Sequence, residues 1–158
     1  MKIFLIVISI LSSVSGSLYA SDTLNIEDAW IRLTPPVSKN TAGYFKLINN
    51  TSSDVIIVSA ESDAAKKAEI HDMKMVDGRM GMVHIPKLTI KAGDTIELKP
   101  GGKHLMLMGL NNPVKDGQLI DVTLNYSDGN SQLVTIPVKR QTTKRSKEKK
   151  ESAHKGHH

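Results

Sequence analysis

Not one of the 158 residues is cysteine. Disulfides are therefore excluded from the stability of the chain, and its fold must rest on an ordinary apolar core. Thiolate nucleophiles and thiolate metal ligands are excluded with them. So is a lipid-modified cysteine at a processed N-terminus. Other marks of catalysis are missing as well: the chain contains no His-Glu-x-x-His pair and no Gly-x-Ser-x-Gly elbow. No paired carboxylates stand out, since Asp72 and Asp77 read as turn or surface residues. The expectation is a protein that is not an enzyme.

The N-terminal apolar stretch is also too short to span a bilayer comfortably. Ile3 to Val14 follows Lys2 and precedes Ser15-Gly16-Ser17, which is a targeting pattern. Cleavage after Ala20 of Leu18-Tyr19-Ala20 fits it best, giving a signal peptide over 1–20 and an exported product without stable membrane insertion. A retained signal anchor is the alternative. The remaining length suits one domain with a real core.

Excess positive charge is absent from that domain. Residues 139–158 carry eight Lys or Arg against two Glu, whereas 21–138 carry twelve basic and fourteen acidic residues. The high pI therefore belongs to the tail, and a nucleic-acid groove in the domain is not expected. The same tail has no large apolar side chain, so nothing in it could anchor to a core. It reads as a disordered basic segment ending in His154, His157 and His158.

From Leu24 to Val138 the texture is strand-like. Candidate strands include Gly43 to Ile48, Val55 to Val58, Thr95 to Leu98, Val122 to Tyr126 and Leu133 to Val138. Turn signals separate them, among them Asp77-Gly78, Pro100-Gly101-Gly102 and Asn111-Asn112-Pro113. Short strands at this spacing predict an all-β fold, a β-sandwich or small Greek-key barrel, over 21–138. The one helical candidate is Asp63 to Glu69, which could be a single turn. There is no internal repeat.

What the chain does have is a concentration of soft donors. Apart from Met1, every methionine lies between Met73 and Met108, and His71, His84 and His104 fall in the same stretch. Methionine is ordinarily a scattered filler of cores. Thioether sulfur beside neutral imidazole favours a soft or borderline cation, with copper(I) first. The period of a strand puts His104, Met106 and Met108 on one face and Leu105 and Leu107 on the other, buried one. It likewise aligns His71, Met73 and Met75, and separately Met80, Met82 and His84. Periodicity does not choose four ligands from these.

The spacing His71, ten residues, Met82, twenty-one residues, His104-x-Met106 resembles the signature of the periplasmic copper chaperone family called PCuAC. The words around it are similar too: Ala29-Trp30-Ile31-Arg32, Glu69-Ile70-His71-Asp72-Met73, Leu98 to Met108, and Ile136-Pro137-Val138. The likeness covers about Asn25 to Val138. Asp72 departs from a frequent Glu, and the basic tail is not general to the family.

The resemblance implies a cupredoxin-like β-barrel in which His71, Met82, His104 and Met106 hold one Cu(I). It also implies delivery to a copper-accepting protein, either the dinuclear copper centre of cytochrome c oxidase or a partner copper chaperone. All four donors are neutral, so the site would keep only the ion's own charge. A blue-copper site needs a cysteine ligand, and none exists here. His84 falls outside the spacing and reads as structural. Met73, Met75, Met80 and Met108 read first as packing and second as a further soft shell. Trp30 and Tyr44 are expected in the core, and Lys103 as a solvated charge.

The tail histidines His154, His157 and His158 could bind Cu(II) or Zn(II) through imidazole nitrogen, capturing oxidised copper; the alternative is a solubilising or lipid-touching tail. A transient docking role favours a monomer. The competing reading of the whole chain is an exported β-sandwich binding module whose methionines only pack.

Overall fold

Alternation of apolar and polar residues over three- to twelve-residue stretches, punctuated by glycine and asparagine, builds strands throughout. A computed structural model of the chain describes residues 24–141, all-β, with no helix among them. The proposed signal peptide and the tail histidines lie outside the described residues. The strands are β1 (Asn25–Arg32), β2 (Asn40–Ile48), β3 (Val55–Glu61), β4 (Ala65–Val76), β5 (Arg79–His84), β6 (Leu88–Ile90), β7 (Thr95–Leu98), β8 (His104–Leu110), β9 (Leu119–Tyr126) and β10 (Ser131–Lys139).

Seven of them close a barrel in the order β4, β8, β2, β1, β10, β9, β3, with β3 returning to β4. Every pairing is antiparallel except β1 with β10. The closing seam is narrow: β3 meets β4 at Ala60 opposite Ala68, two small buried residues. Inward side chains alternate as the pleat requires. Leu105 and Leu107 of β8, Ile70 of β4, Val122 and Leu124 of β9 and Ile136 of β10 are sealed in one apolar cluster. Burying side chains of this size contributes about 1.5–3 kcal/mol each, which is what a cysteine-free domain has to rely on.

Two features of the sheet position the candidate ligands. β2 is shared lengthwise: its first half, Asn40 to Gly43, pairs with β8, and its second half, Phe45 to Ile48, pairs with β7. The Pro100-Gly101-Gly102 turn between β7 and β8 therefore lies at mid-barrel and delivers His104 as the first residue of β8. The second feature is the length of β4. Its first half pairs with β8 as far as His71 opposite His104. Its second half continues past β8 and pairs only with β5, forming a hairpin from His71 to His84.

The helix expected over Asp63 to Glu69 is not formed; a turn at Asp63-Ala64 leads directly into β4. Ala-Lys-Lys-Ala-Glu has good helical propensity, yet Ala68, Ile70 and Asp72 alternate as buried residues once β8 and β3 flank the segment. Tertiary pairing overrides a weak local preference.

Candidate metal centre

Asp77 and Gly78 fix the geometry of the hairpin. Both have positive φ, 49° and 76°, the signature of a two-residue turn whose twist matches that of the flanking strands. That turn sets Val76 opposite Arg79, and the register follows: Met75 faces Met80, Met73 faces Met82, and His71 faces His84. Directly opposed residues share a face. All six soft donors of the hairpin thus lie on one face, and His71 brings that face alongside His104 of β8.

His104 itself is buried, 5% exposed, although it belongs to the outward-facing set of β8. It lines a cleft of about 300 Å3 together with Met106, Met73 and Met82. Ala42 and Tyr44 of β2 and Arg32 of β1 complete the wall. Three of the four residues expected to bind metal, Met82, His104 and Met106, share this cleft. The fourth, His71, is not among the residues that line it, but its ring centroid lies 6.0 Å from that of His104. Two imidazoles on one ion at metal–nitrogen distances of about 2 Å have centroids roughly 5 to 6.5 Å apart, so the pair is spaced to share a cation.

Each ring is oriented from behind. Nδ1 of His104 lies 2.9 Å from the carbonyl oxygen of Gly102. A carbonyl only accepts, so Nδ1 carries the proton and Nε2 keeps a lone pair. Nε2 of His71 lies 2.9 Å from Oε2 of Glu69. The Lys67 ammonium, 2.6 Å from the other Glu69 oxygen, and then the His71 hydrogen bond hold that carboxyl down to a pKa of about 2. Glu69 is therefore an ionised acceptor at any ordinary pH, and the His71 ring donates to it from Nε2. Its Nδ1 is left as a lone pair, buried and without a hydrogen-bond partner. An orphaned buried acceptor is costly unless something fills the position. A tied outer nitrogen and a free inner one is the usual arrangement of a metal-binding histidine.

Among the described residues no three or more His, Asp or Glu side chains are grouped to hold a metal. A cation here must draw on the thioethers. Hard oxygen-seeking ions are disfavoured by that donor set, and soft ones are suited to it.

Several neighbours differ from the sequence expectation. Asp72 is neither a turn nor a surface residue: it is buried on the opposite face of β4, 3.5 Å from the Lys103 ammonium and 3.9 Å from that of Lys74. Lys103 is thus an ion-pair partner rather than a free charge. Tyr44 is buried, but against Trp30, with ring centroids 4.7 Å apart, and under the Arg32 guanidinium, so it walls the cleft instead of joining the core. Met75 and Met80 are exposed and pack no core. His84 sits 5.6 Å from His71, centroid to centroid, but lines a different depression beside Glu69. Glu69 is the residue that sequence reasoning missed; its position two before His71, on the same strand face, was the available signal.

Residues 24–138 match the LpqE-like family model, described as "Putative lipoprotein LpqE-like". The "Putative lipoprotein Lxx21020" of Leifsonia xyli subsp. xyli (strain CTCB07) is 38% identical over 120 residues, which is 75% of this chain and 71% of that protein. The solution structure of copper(I)-loaded DR1885 from Deinococcus radiodurans is 34% identical with a TM-score of 0.60, over 72% of this chain and 76% of that one. The copper-bound PCuAC domain of PmoF2 superposes with a TM-score of 0.63 over 78% of this chain and 97% of its own, at 15% identity, a likeness of fold alone.

Proposed function

The chain belongs to the LpqE-like family, of the PCuAC copper-chaperone type, and from that premise we propose that it is a copper(I) carrier with one ion held by His71, Met82, His104 and Met106. The observation that carries this reading is the pair of imidazoles 6.0 Å apart, each tied from behind by Glu69 or the Gly102 carbonyl, with His104 sharing its cleft with Met73, Met82 and Met106. The copper(I)-loaded relative at 34% identity supports the choice of ion. Two neutral nitrogens and two neutral sulfurs suit Cu(I), whereas Cu(II) prefers square-planar nitrogen and oxygen.

Release is built into the same ligand set. Met82 is 49% exposed while His104 is buried. A recipient's ligand can displace the Met82 thioether first, at the protein surface, while His104 still holds the ion. Thioethers bind more weakly than thiolates and do not oxidise to disulfides, which suits a carrier in an oxidising compartment. The recipient in this reading is the dinuclear copper centre of cytochrome c oxidase or a partner copper chaperone, met by a monomer through transient docking. Export by a signal peptide over 1–20, cleaved on reaching the periplasm, belongs to the same proposal. None of the 158 residues offers a thiol to a lipid, so the lipoprotein name of the Leifsonia relative does not carry over to them. The tail is proposed to capture Cu(II) through His154, His157 and His158; entry into the barrel as Cu(I) then takes one electron from a reductant outside this chain.

The test is an anaerobic Cu(I) competition titration of the purified protein and its Met106→Leu variant. Leucine keeps the volume and removes the sulfur. One tightly held equivalent, weakened in the variant by more than the about 10–100-fold typical of losing an outer partner, is the expected result. Equal binding by both proteins would return the methionines to a packing role. Truncation after Val138 should lower Cu(II) capacity and leave the tight Cu(I) equivalent intact; unchanged Cu(II) capacity would end the capture idea.

A further inference from the structure

Met73, Met75, Met80 and Met108 are left over once four ligands are assigned, and packing does not account for Met75 and Met80. Met75 is 65% exposed and Met80 58%. Five of the eight exposed large apolar side chains among the described residues lie on the β4–β5 hairpin. A strand pair that spends its turn geometry on displaying thioethers to water needs a reason.

The display is ordered. On one face, the hairpin reads His71, Met73, Met75 on β4 and Met80, Met82, His84 on β5, with the members of each cross-strand pair directly opposed. Every position on that face is a soft donor. The other face carries Asp72, Lys74, Val76, Arg79, Gly81 and Val83, with none. Opposed side chains start about 5 Å apart at Cβ and diagonal ones about 7–8 Å. Three thioethers on unbranched, freely rotating side chains converge on one ion from those positions. Met73 also lines the cleft with His104 and Met106, so the array runs without a break from the hairpin tip into the candidate centre.

We propose that Met73, Met75 and Met80 form a second, weaker site for a soft monovalent cation, Cu(I) or Ag(I), and that this site loads the cleft. The loading role rests on the one-ion reading above; the site does not. Three neutral sulfurs at the exposed end give a station that water-borne or protein-delivered Cu(I) reaches first. Each step inward exchanges one thioether for another, then a thioether for an imidazole, with no change in oxidation state. Met82, opposite Met73 and half exposed, is the point where the two ligand sets meet.

The experiment is methyl-13C methionine NMR of the purified protein titrated without oxygen with Ag(I), which has no accessible redox partner state, and then with Cu(I). Expected are shifts of the Met82 and Met106 methyls with the first equivalent and of Met73, Met75 and Met80 with the second. Met75→Leu/Met80→Leu should abolish the second set, keep the first, and slow loading of the centre from a Cu(I) donor. Leucine preserves apolar volume at exposed positions, so the fold is not at stake. Silent Met75 and Met80 methyls through several equivalents would overturn the second site. A second equivalent with an unaltered loading rate in the double variant would overturn its role in entry. Silence of Met82 and Met106 alone would instead strike the four-ligand reading, and the two failures are told apart methyl by methyl.

Discussion

Glu69 governs the His71 ring, and its removal has a specific signature. With the carboxylate gone, Nε2 loses its acceptor 2.9 Å away and the ring loses both its orientation and its fixed tautomer. Glu69→Ala is expected to weaken Cu(I) binding about 10- to 100-fold and to lower the melting temperature of the metal-free protein, since the interactions that depress the Glu69 pKa also stabilise the fold at neutral pH. A competition titration beside a thermal melt checks both halves. Equal loss in Lys67→Ala, which leaves Glu69 ionised, would mean that the Lys67 ion pair is what holds the carboxylate in place behind His71. Met82 and His104 make a contrasting pair. Met82→Leu, at a half-exposed position, should change stability by no more than about 0.5 kcal/mol. His104→Ala empties a buried position and should cost stability as well as affinity, measured by urea unfolding of the metal-free protein.

At the scale of elements, the β4–β5 hairpin depends on its turn. Gly78 sits at φ 76°, where a side chain is strained, and nothing else crowds the position. Gly78→Ala is expected to cost about 1–2 kcal/mol, felt as hairpin opening rather than global unfolding. Amide exchange over Met73 to Val83 should accelerate while β9 and β10 keep their protection. If exchange of the hairpin is unchanged, the register is held by something other than the turn. This element was legible in the sequence: Asp77-Gly78 between two sets of alternating Met and His could only pair them this way. The segment just before it was not legible. Ala65 to Glu69 has the composition of a helix, and only the flanking strands β3 and β8 draw it into the sheet. Asp72 was misjudged for the same reason, because its burial is created by the Lys103 that arrives from thirty-odd residues away.

Across the whole molecule, closure of the barrel is the vulnerable step. β3 and β4 touch through Ala60 and Ala68, and two methyl-sized residues are what let the seam shut. Ala68→Leu should overpack it and cost about 1–3 kcal/mol. His71 lies three residues further along β4, so the same variant should also weaken Cu(I) binding, unlike a substitution of equal cost on β9. A denaturant series paired with the Cu(I) titration separates the two effects; intact affinity in a destabilised Ala68→Leu would show that the site does not feel the seam.

The sequence alone determined the all-β character, the leucine face of β8, the opposite face of His104, Met106 and Met108, and the turn that pairs the hairpin. These follow from local rules: a side-chain period of two, and glycine where φ must be positive. It also excluded thiolate chemistry outright, because composition needs no fold. Tertiary structure decided what depends on contacts between distant segments. The sharing of β2 between β7 and β8 set His104 at mid-barrel. The overrun of β4 beyond β8 put His71 beside it, and placed Met73 and Met82 over the cleft that Tyr44 and Arg32 complete. The choice of which nitrogen each histidine leaves free belongs to this level too. It rests on Glu69 and Gly102 lying within hydrogen-bond distance, and distance is a property of the folded chain.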